Sequence, residues 1–208
     1  MTTHPLIEPF PQTGPLMMHA YANLARVEQA KNPDDVRDLG PLELLPRPWD
    51  VTTCRTAELR REVWDWLDAV VEWINSQHAW ETGTLIPGCW PQHPHLVHEI
   101  GCLADQRRRA GAAVNSEWLE DWHRYGLPQF LTRMQTRTRG MCEDGHQDPP
   151  GKARVTRYRS VEARDARQAL YRQDIKNSTG PTRTDAAGAS LTLINGLLVD
   201  RVTGEILP

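Results

Sequence analysis

The longest run of regularly spaced apolar residues lies between Thr56 and Trp80. At about 100° per residue, its apolar side chains fill one continuous half of a helical wheel, and charged side chains fill the other half. The pattern therefore predicts an amphipathic helix that starts at Thr53 or Thr56 as N-cap and carries three indoles. The apolar half consists of Leu59, Val63, Trp64, Trp66, Leu67, Val70, Val71, Trp73 and Ile74.

A second helix is predicted from Pro94 to about Arg109. Proline suits the first position of a helix, because its missing N–H would have no partner there, and Gly111 is a suitable C-terminal stop. The apolar stripe of this helix consists of Leu96, Val97, Ile100, Leu103 and Ala104.

A third helix is predicted to open at Asn115 or Ser116 and to be interrupted at 126–128, where the sequence reads Gly-Leu-Pro. A further helical piece then follows at 128–139. The acidic start of the third helix argues against a DNA-reading helix-turn-helix, because such a helix must approach phosphates. Its apolar face is formed by Trp118, Leu119, Trp122 and Tyr125.

The two ends of the chain differ from this tryptophan-rich region at 49–140. Residues 1–48 contain eight prolines and are expected to form a largely extended leader, in which only 16–31 could hold a short helix. Residues 141–190 are expected to be a basic arm and linker. At 191–208, Asn195-Gly196 between two apolar runs predicts a β-hairpin, to which 205–207 could add a strand. The expected fold is mainly α: a small helical bundle with an extended Pro-rich N-terminus, a basic arm and a C-terminal β-hairpin.

Composition adds a cellular setting to this fold. The 208 residues contain no apolar run of the length that a membrane helix needs, and the N-terminus has neither the basic start nor the apolar core of a signal peptide. The four cysteines are therefore expected to be reduced thiols or metal ligands in the cytoplasm.

Charge is distributed unevenly along the chain. Residues 1–105 carry 7 basic and 15 acidic groups, whereas residues 106–183 carry 16 basic and 9 acidic groups. The basic excess peaks in the arm, where two tyrosines stand among the arginines as candidate stacking partners. This composition suits contact with phosphates, and the alternative is a solvated, disordered extension. The candidate nucleic-acid-binding residues are Lys152, Arg154, Arg157, Tyr158, Arg159, Arg164, Arg167 and Arg172.

A cluster of candidate metal ligands lies at the start of the second helix. His98 and Cys102 are four residues apart and can grip one ion, and either Cys89 with His93 or Cys142 with His146 could complete a tetrahedron. The candidate ligands of a structural zinc site are Cys89, His93, His98 and Cys102, and no other cofactor is expected. The alternative is that the histidines face solvent or form hydrogen bonds without a metal.

The tryptophan spacing resembles that of a known family. The residues that carry the resemblance are Trp64, Trp66, Trp73, Pro87, Cys89, Trp90, His93, Pro94, Val97, Ile100, Leu103, Trp118 and Trp122. They are similar to an uncharacterised, tryptophan-rich actinobacterial family, a domain of unknown function found on conjugative plasmids, integrated elements and phages. The resemblance spans about 60–135 and implies an accessory role on a mobile genetic element.

Together these features predict a non-enzymatic protein. The chain contains no GxSxG elbow, P-loop, dinucleotide-binding GxGxxG or HExxH motif. We expect a helical scaffold whose arm contacts DNA or an acidic protein surface, with no membrane and no small-molecule substrate, and the oligomeric state stays open. The rival hypothesis is a protein-interaction adaptor with a structural zinc site.

Overall fold

The computed structural model describes residues 7–138, 141–142, 145–178, 183–184, 190–194, 197–200 and 206–207. It divides the chain into two compact units, Met1–Gln147 and Asp148–Pro208, which we call the bundle unit and the C-terminal unit. The mainly helical fold expected from the sequence is confirmed. Among the described residues, no helix has both the length and the apolar character required to cross a membrane.

The described residues of the bundle unit form five α-helices: α1 (Pro15–Gln29), α2 (Ala57–Gln77), α3 (Pro94–Ala112), α4 (Glu117–Asp121) and α5 (Leu127–Thr138). Short 3-10 turns connect them at Pro33–Leu39, Leu42–Leu44, Val51–Thr53, Thr82–Thr84 and Trp90–Gln92, and a π-helical turn, Trp122–Gly126, joins α4 to α5.

Helix α2 provides the centre of the core. It begins after Thr56 as N-cap, and the predicted apolar half is buried except for Trp64, which is partly buried. The indole N–H groups of Trp66 and Trp73 donate to the backbone carbonyls of Pro11 (3.1 Å) and Glu8 (3.0 Å). The extended N-terminal segment therefore lies along α2, and its Phe10 ring meets both indoles edge-on.

The proline-rich segment thus belongs to the bundle unit. Helix α1 occupies the one stretch in which the prolines allow a helix, and it buries Met17 and Ala20. The Glu62 carboxylate of α2 accepts hydrogen bonds from the first-turn amides of Leu16 and Met17. Amides of the first turn have no partner inside their own helix, so Glu62 satisfies two of them and fixes α1 on the bundle.

Helix α3 packs closely against the chain that precedes α2. Pro94 occupies its first position as predicted, and the helix continues past Gly111 to Ala112. A Cβ atom at Gly101 would stand 2.4 Å from the Trp49 carbonyl oxygen. Only glycine allows this close approach between α3 and the backbone.

The interruption predicted at 126–128 is wrong: a π-helical turn covers Trp122–Gly126, α5 begins at Leu127, and the chain stays helical throughout. The turn accommodates Pro128, which lacks an N–H and so cannot join the α-helical hydrogen-bond pattern. It also divides the predicted apolar face: Trp122 is buried, whereas Trp118 is 52% exposed and Tyr125 is 48% exposed.

The C-terminal unit contains α6 (Lys152–Tyr158) and α7 (Val161–Ser178), neither of which buries a residue. The Ser160 hydroxyl accepts a hydrogen bond from the Ala163 amide and so caps the start of α7. Among the residues described after α7, four short strands form an antiparallel sheet of order β1 (Arg183–Thr184), β2 (Ser190–Ile194), β3 (Leu197–Asp200) and β4 (Ile206–Leu207).

The predicted hairpin corresponds to β2 and β3, which pair in a register that sets Ile194 opposite Leu197. Its turn, 195–196, lies outside the described residues. The expected third strand is β4, and β1 adds a short strand within the stretch interpreted as linker.

Candidate metal centre

Four side chains of the bundle unit bring their ligand atoms together. The thiols of Cys89 and Cys142 and ring nitrogens of His93 and His146 all lie within 4.8 Å of one another. His93 Nε2 is 3.4 Å from Cys89 Sγ and 3.3 Å from Cys142 Sγ. In the part of the chain that the structure describes, this is the one group of three or more such residues close enough to share an ion.

The first pair is held by a short turn that leads into α3. Cys89 precedes the 3-10 turn Trp90–Gln92, and His93 follows it as the N-cap of α3. Trp90 is buried against the Trp64 ring, with 5.5 Å between the ring centroids. The His93 side chain is buried as well, so both ligands stand on a part of the chain that the core fixes in place.

The second pair follows the end of α5. This helix is anchored in the core by Phe130 and Met134 and is tied to α3 by ion pairs from Arg133 and Arg137 to Glu99. These contacts determine where the chain leaves α5 towards Cys142.

The loop that carries the second pair contains a backbone conformation that favours glycine. The Met141 amide still donates to the Thr138 carbonyl (2.8 Å), so Cys142 begins close to the helix end. Gly145 has φ +125°, a region that residues with a Cβ rarely adopt. This glycine immediately precedes His146 and allows the chain to turn there.

The spacing of the four ligand atoms suits a tetrahedral ion. Bond lengths of about 2.3 Å to sulfur and about 2.0 Å to nitrogen place neighbouring ligands about 3.5 Å apart, close to the observed separations of His93 from both thiols. Burial, and then the neighbouring Cys142 thiol, raises the pKa of the Cys89 thiol. Two thiolates this close repel each other, and a divalent cation between them would remove the repulsion.

The site shares two residues with the set assigned from sequence. Cys89 and His93 belong to it, whereas His98 and Cys102 lie outside the cluster, exposed on α3. Positions five and nine residues beyond His93 are turned by about 140° and 180° around a helix, so they face away from it. The remaining ligands are Cys142 and His146, the other pair in the sequence that could complete a tetrahedron.

The candidate nucleic-acid-binding residues lie on α6, on α7 and between them. Each is largely exposed except Arg167, which is partly exposed and lies over the Tyr158 ring at 3.7 Å. Lys152 pairs with Asp148 (2.6 Å), and Arg164 is 3.9 Å from Asp165. Within the described chain, the other basic candidates, Arg154, Arg157, Arg159 and Arg172, make no ion pair.

A scan against protein-family models finds no match for this chain, and searches of curated proteins and of solved structures find none either.

Proposed function

We propose that this protein is a non-enzymatic scaffold that binds nucleic acid through α6 and α7, with zinc at the cluster of Cys89, His93, Cys142 and His146. The observation that carries the proposal is the pair of exposed, basic helices that follow the cluster in the chain. The resemblance in tryptophan spacing supports an accessory role on a mobile genetic element. Reduced thiolates are maintained in the cytoplasm, and we propose that the protein works there.

Zinc is the metal best suited to the donor set. Two thiolates and two imidazoles form a common structural zinc site, in which the thiolates neutralise the ion's charge. Four protein ligands also leave no open position for a reacting water, whereas a catalytic zinc site keeps one. The ion would connect the start of α3 to the loop that follows α5, two segments about 50 positions apart.

The composition of α6 and α7 favours a polyanionic partner. From Lys152 to Ser178 there are eight basic and three acidic residues. A helix without a buried face gains little from tertiary packing, and the excess of basic over acidic side chains on α6 and α7 leaves a net repulsion along them. Phosphates would neutralise these charges and release condensed counterions, which is the main source of nonspecific affinity for DNA.

A salt titration of the full-length protein tests this proposal. A labelled duplex of random sequence, about 20 base pairs long, is titrated between about 50 and 200 mM salt. We expect the affinity to fall steeply with salt. Replacing Arg154, Arg157 and Arg159 by glutamine should lower the slope of log K against log salt by up to about 2.7, since each lost phosphate contact removes about 0.9.

The matched control removes the same charge from the bundle unit. Arg55, Arg60 and Arg61 are exposed, and their replacement by glutamine should leave the slope unchanged. The proposal is wrong if the duplex does not bind at the lowest salt, or if both triple variants lower the slope equally.

A second function, a protein-interaction adaptor, is favoured by apolar side chains on α7. Leu170 is 69% exposed, and the Tyr171 ring beside it is half exposed. Polyglutamate serves as the probe for an acidic protein surface. Tighter binding of polyglutamate than of duplex DNA, at equal concentrations of charge, would support the adaptor over the nucleic-acid-binding scaffold.

A further inference from the structure

The bundle unit has a cavity of about 520 Å³ where α3 meets α4, the π-helical turn and the start of α5. This volume lies within the range of small-molecule sites, about 300 to 1,000 Å³. The cavity contains none of the metal-cluster residues and none of the basic residues of α6 and α7. Its position coincides with the π-helical turn, a distortion that frequently marks functional sites in helices.

Three aromatic side chains give the cavity flat walls. Trp122 is buried, and its indole N–H donates to the Leu103 carbonyl at 3.0 Å, so its hydrogen-bonding capacity is already used. Trp118 and Tyr125 line the same cavity with about half of their surface exposed. Two half-exposed aromatic rings beside one opening provide stacking surface, and a guanidinium already lies near each ring: Arg109 is 5.6 Å from the Trp118 centroid and Arg124 is 5.4 Å from the Tyr125 centroid.

Two neutral carboxamides, one cationic group and one anionic group complete the lining. Gln106 and Gln129 offer carboxamides, each of which can donate and accept. The Arg109 guanidinium lies over the Trp118 ring, 5.6 Å from its centroid. Asp121 also lines the cavity and, among the described residues, forms no ion pair with Arg109.

We propose that this cavity binds a nucleoside or a nucleoside monophosphate. A planar base can stack on Trp118 and Tyr125, and a glutamine carboxamide can pair with the donor and acceptor on a base edge. The Asp121 carboxylate can accept hydrogen bonds from ribose hydroxyls or from an exocyclic amine. Arg109 supplies a positive charge for a single phosphate.

The charges around the cavity favour a single nucleotide over a strand. Glu117 and Glu120 are exposed on α4, next to Trp118, and would repel a continuous phosphate backbone. The inference is thus independent of DNA binding by α6 and α7. Replacing Arg154, Arg157 and Arg159 by glutamine should leave nucleoside binding unchanged.

Calorimetric titration of the full-length protein with adenosine, AMP and ribose 5-phosphate tests the proposal. We expect adenosine and AMP to bind and ribose 5-phosphate, which lacks a base, to show no measurable binding. Equal binding of ribose 5-phosphate and AMP would overturn base recognition. Absence of binding by both adenosine and AMP would overturn the proposal itself. Binding of a proline-rich peptide to the cavity in place of a nucleoside would also overturn it.

One matched pair of variants locates the binding. Trp118→Ala should weaken adenosine binding about 5- to 150-fold, because loss of a stacking ring costs about 1 to 3 kcal/mol per base. Trp80→Ala, which removes an indole that is 96% exposed and lies outside the cavity, should leave it unchanged. Equal effects of the two variants would contradict the assignment.

Gly126 provides a probe that does not depend on loss of stability. A Cβ atom there would stand 3.5 Å from Gln106 and Trp122 atoms, an ordinary contact, and would occupy space at the cavity lining. Gly126→Ala should therefore fold normally and bind adenosine at least several-fold more weakly. Unchanged binding by this variant, in a normally folded protein, would place the ligand elsewhere.

Discussion

Cys142 Sγ lies 3.3 Å from Nε2 of His93, although 49 positions separate the two residues in the chain. The same nitrogen is 3.4 Å from Cys89 Sγ, so one imidazole contacts both thiols. This arrangement joins a loop after α5 to the turn before α3. Substitutions in the loop after α5 or in the turn before α3 can therefore test the stability and the metal content of the cluster.

Cys142→Ser should lower the zinc content of protein purified without an affinity tag from about one ion per chain to a small fraction of that value. Loss of a thiolate ligand lowers the affinity for zinc, whereas it disturbs the packing of the core little because Cys142 is partly exposed. Elemental analysis gives the ion content. A chelator should lower the melting temperature of the wild type and leave that of the variant unchanged.

The matched control is Cys102→Ser, which alters an exposed cysteine outside the cluster. It should retain full zinc content. If Cys102→Ser lost the ion while Cys142→Ser kept it, the ligand set assigned from sequence would be correct and the cluster described here would not be the site.

The N-terminal segment is expected to contribute to the stability of the bundle unit. Phe10→Ala removes a half-buried ring that meets the Trp66 and Trp73 indoles edge-on, and it should lower the free energy of unfolding by about 2 kcal/mol. Ile7→Ala, at a side chain that is 82% exposed, should change it by less than about 0.5 kcal/mol. Denaturant unfolding measures both, and equal small effects would mean that the segment does not stay on α2 in solution.

Two glycines in similar helical surroundings should respond oppositely to alanine. At Gly101 the added Cβ would lie 2.4 Å from the Trp49 carbonyl oxygen, and relief of this clash requires backbone movement that should cost about 2 to 3 kcal/mol. At Gly126 the nearest atoms are 3.5 Å away, so alanine should be neutral or should stabilise by about 0.5 kcal/mol. Thermal unfolding of both variants checks the contrast, and a stable Gly101→Ala variant would contradict the close approach of α3.

Acid should destabilise the bundle unit in part through His78. Burial lowers the pKa of His78, and the neighbouring His123 and Arg107 lower it further. The unfolded chain then binds the proton more readily than the folded protein. Above the pKa of about 6.5 that His78 has in the unfolded chain, the histidine is neutral in both states and the free energy of unfolding is not reduced. As the pH falls below that value, protonation of the unfolded chain lowers the free energy of unfolding.

Denaturant unfolding at about pH 7.5 and about pH 5.5 measures this effect. Wild type should lose more stability over this interval than His78→Gln, and His19→Gln, at an exposed histidine, should lose as much as wild type. Identical losses in wild type and His78→Gln would exclude a contribution from His78. Other groups also titrate in this range, so the differences between variants carry the test.

Local pattern is sufficient for much of the fold. The 3.6-residue period between Leu59 and Ile74 defines the buried side of α2, and Pro94 marks the first position of α3. Both patterns depend on residues within one or two helical turns of one another, so they can be recognised without knowledge of the rest of the chain. Residues 152–175 have no apolar stripe, and α6 and α7 accordingly bury no residue.

Other features depend on contacts between distant segments. The prolines of 1–48 indicate where helices cannot form, but they do not reveal that the Glu8 and Pro11 carbonyls accept from two indoles of α2. The π-helical turn that begins at Trp122 changes the helical period itself, and a wheel with a constant angle cannot anticipate it.

The sequence by itself determined the helical segments, the basic character of α6 and α7, and the residue types able to bind a metal. The tertiary structure alone decided which of those residues meet. His98 and Cys102 share a face of α3, yet that face points away from His93. The ligands that do meet His93 besides Cys89 are Cys142 and His146, which follow α5 in the chain. Helical periodicity is a local property of the chain, whereas a four-ligand site is assembled by packing between α3 and α5, and no local spacing encodes that packing.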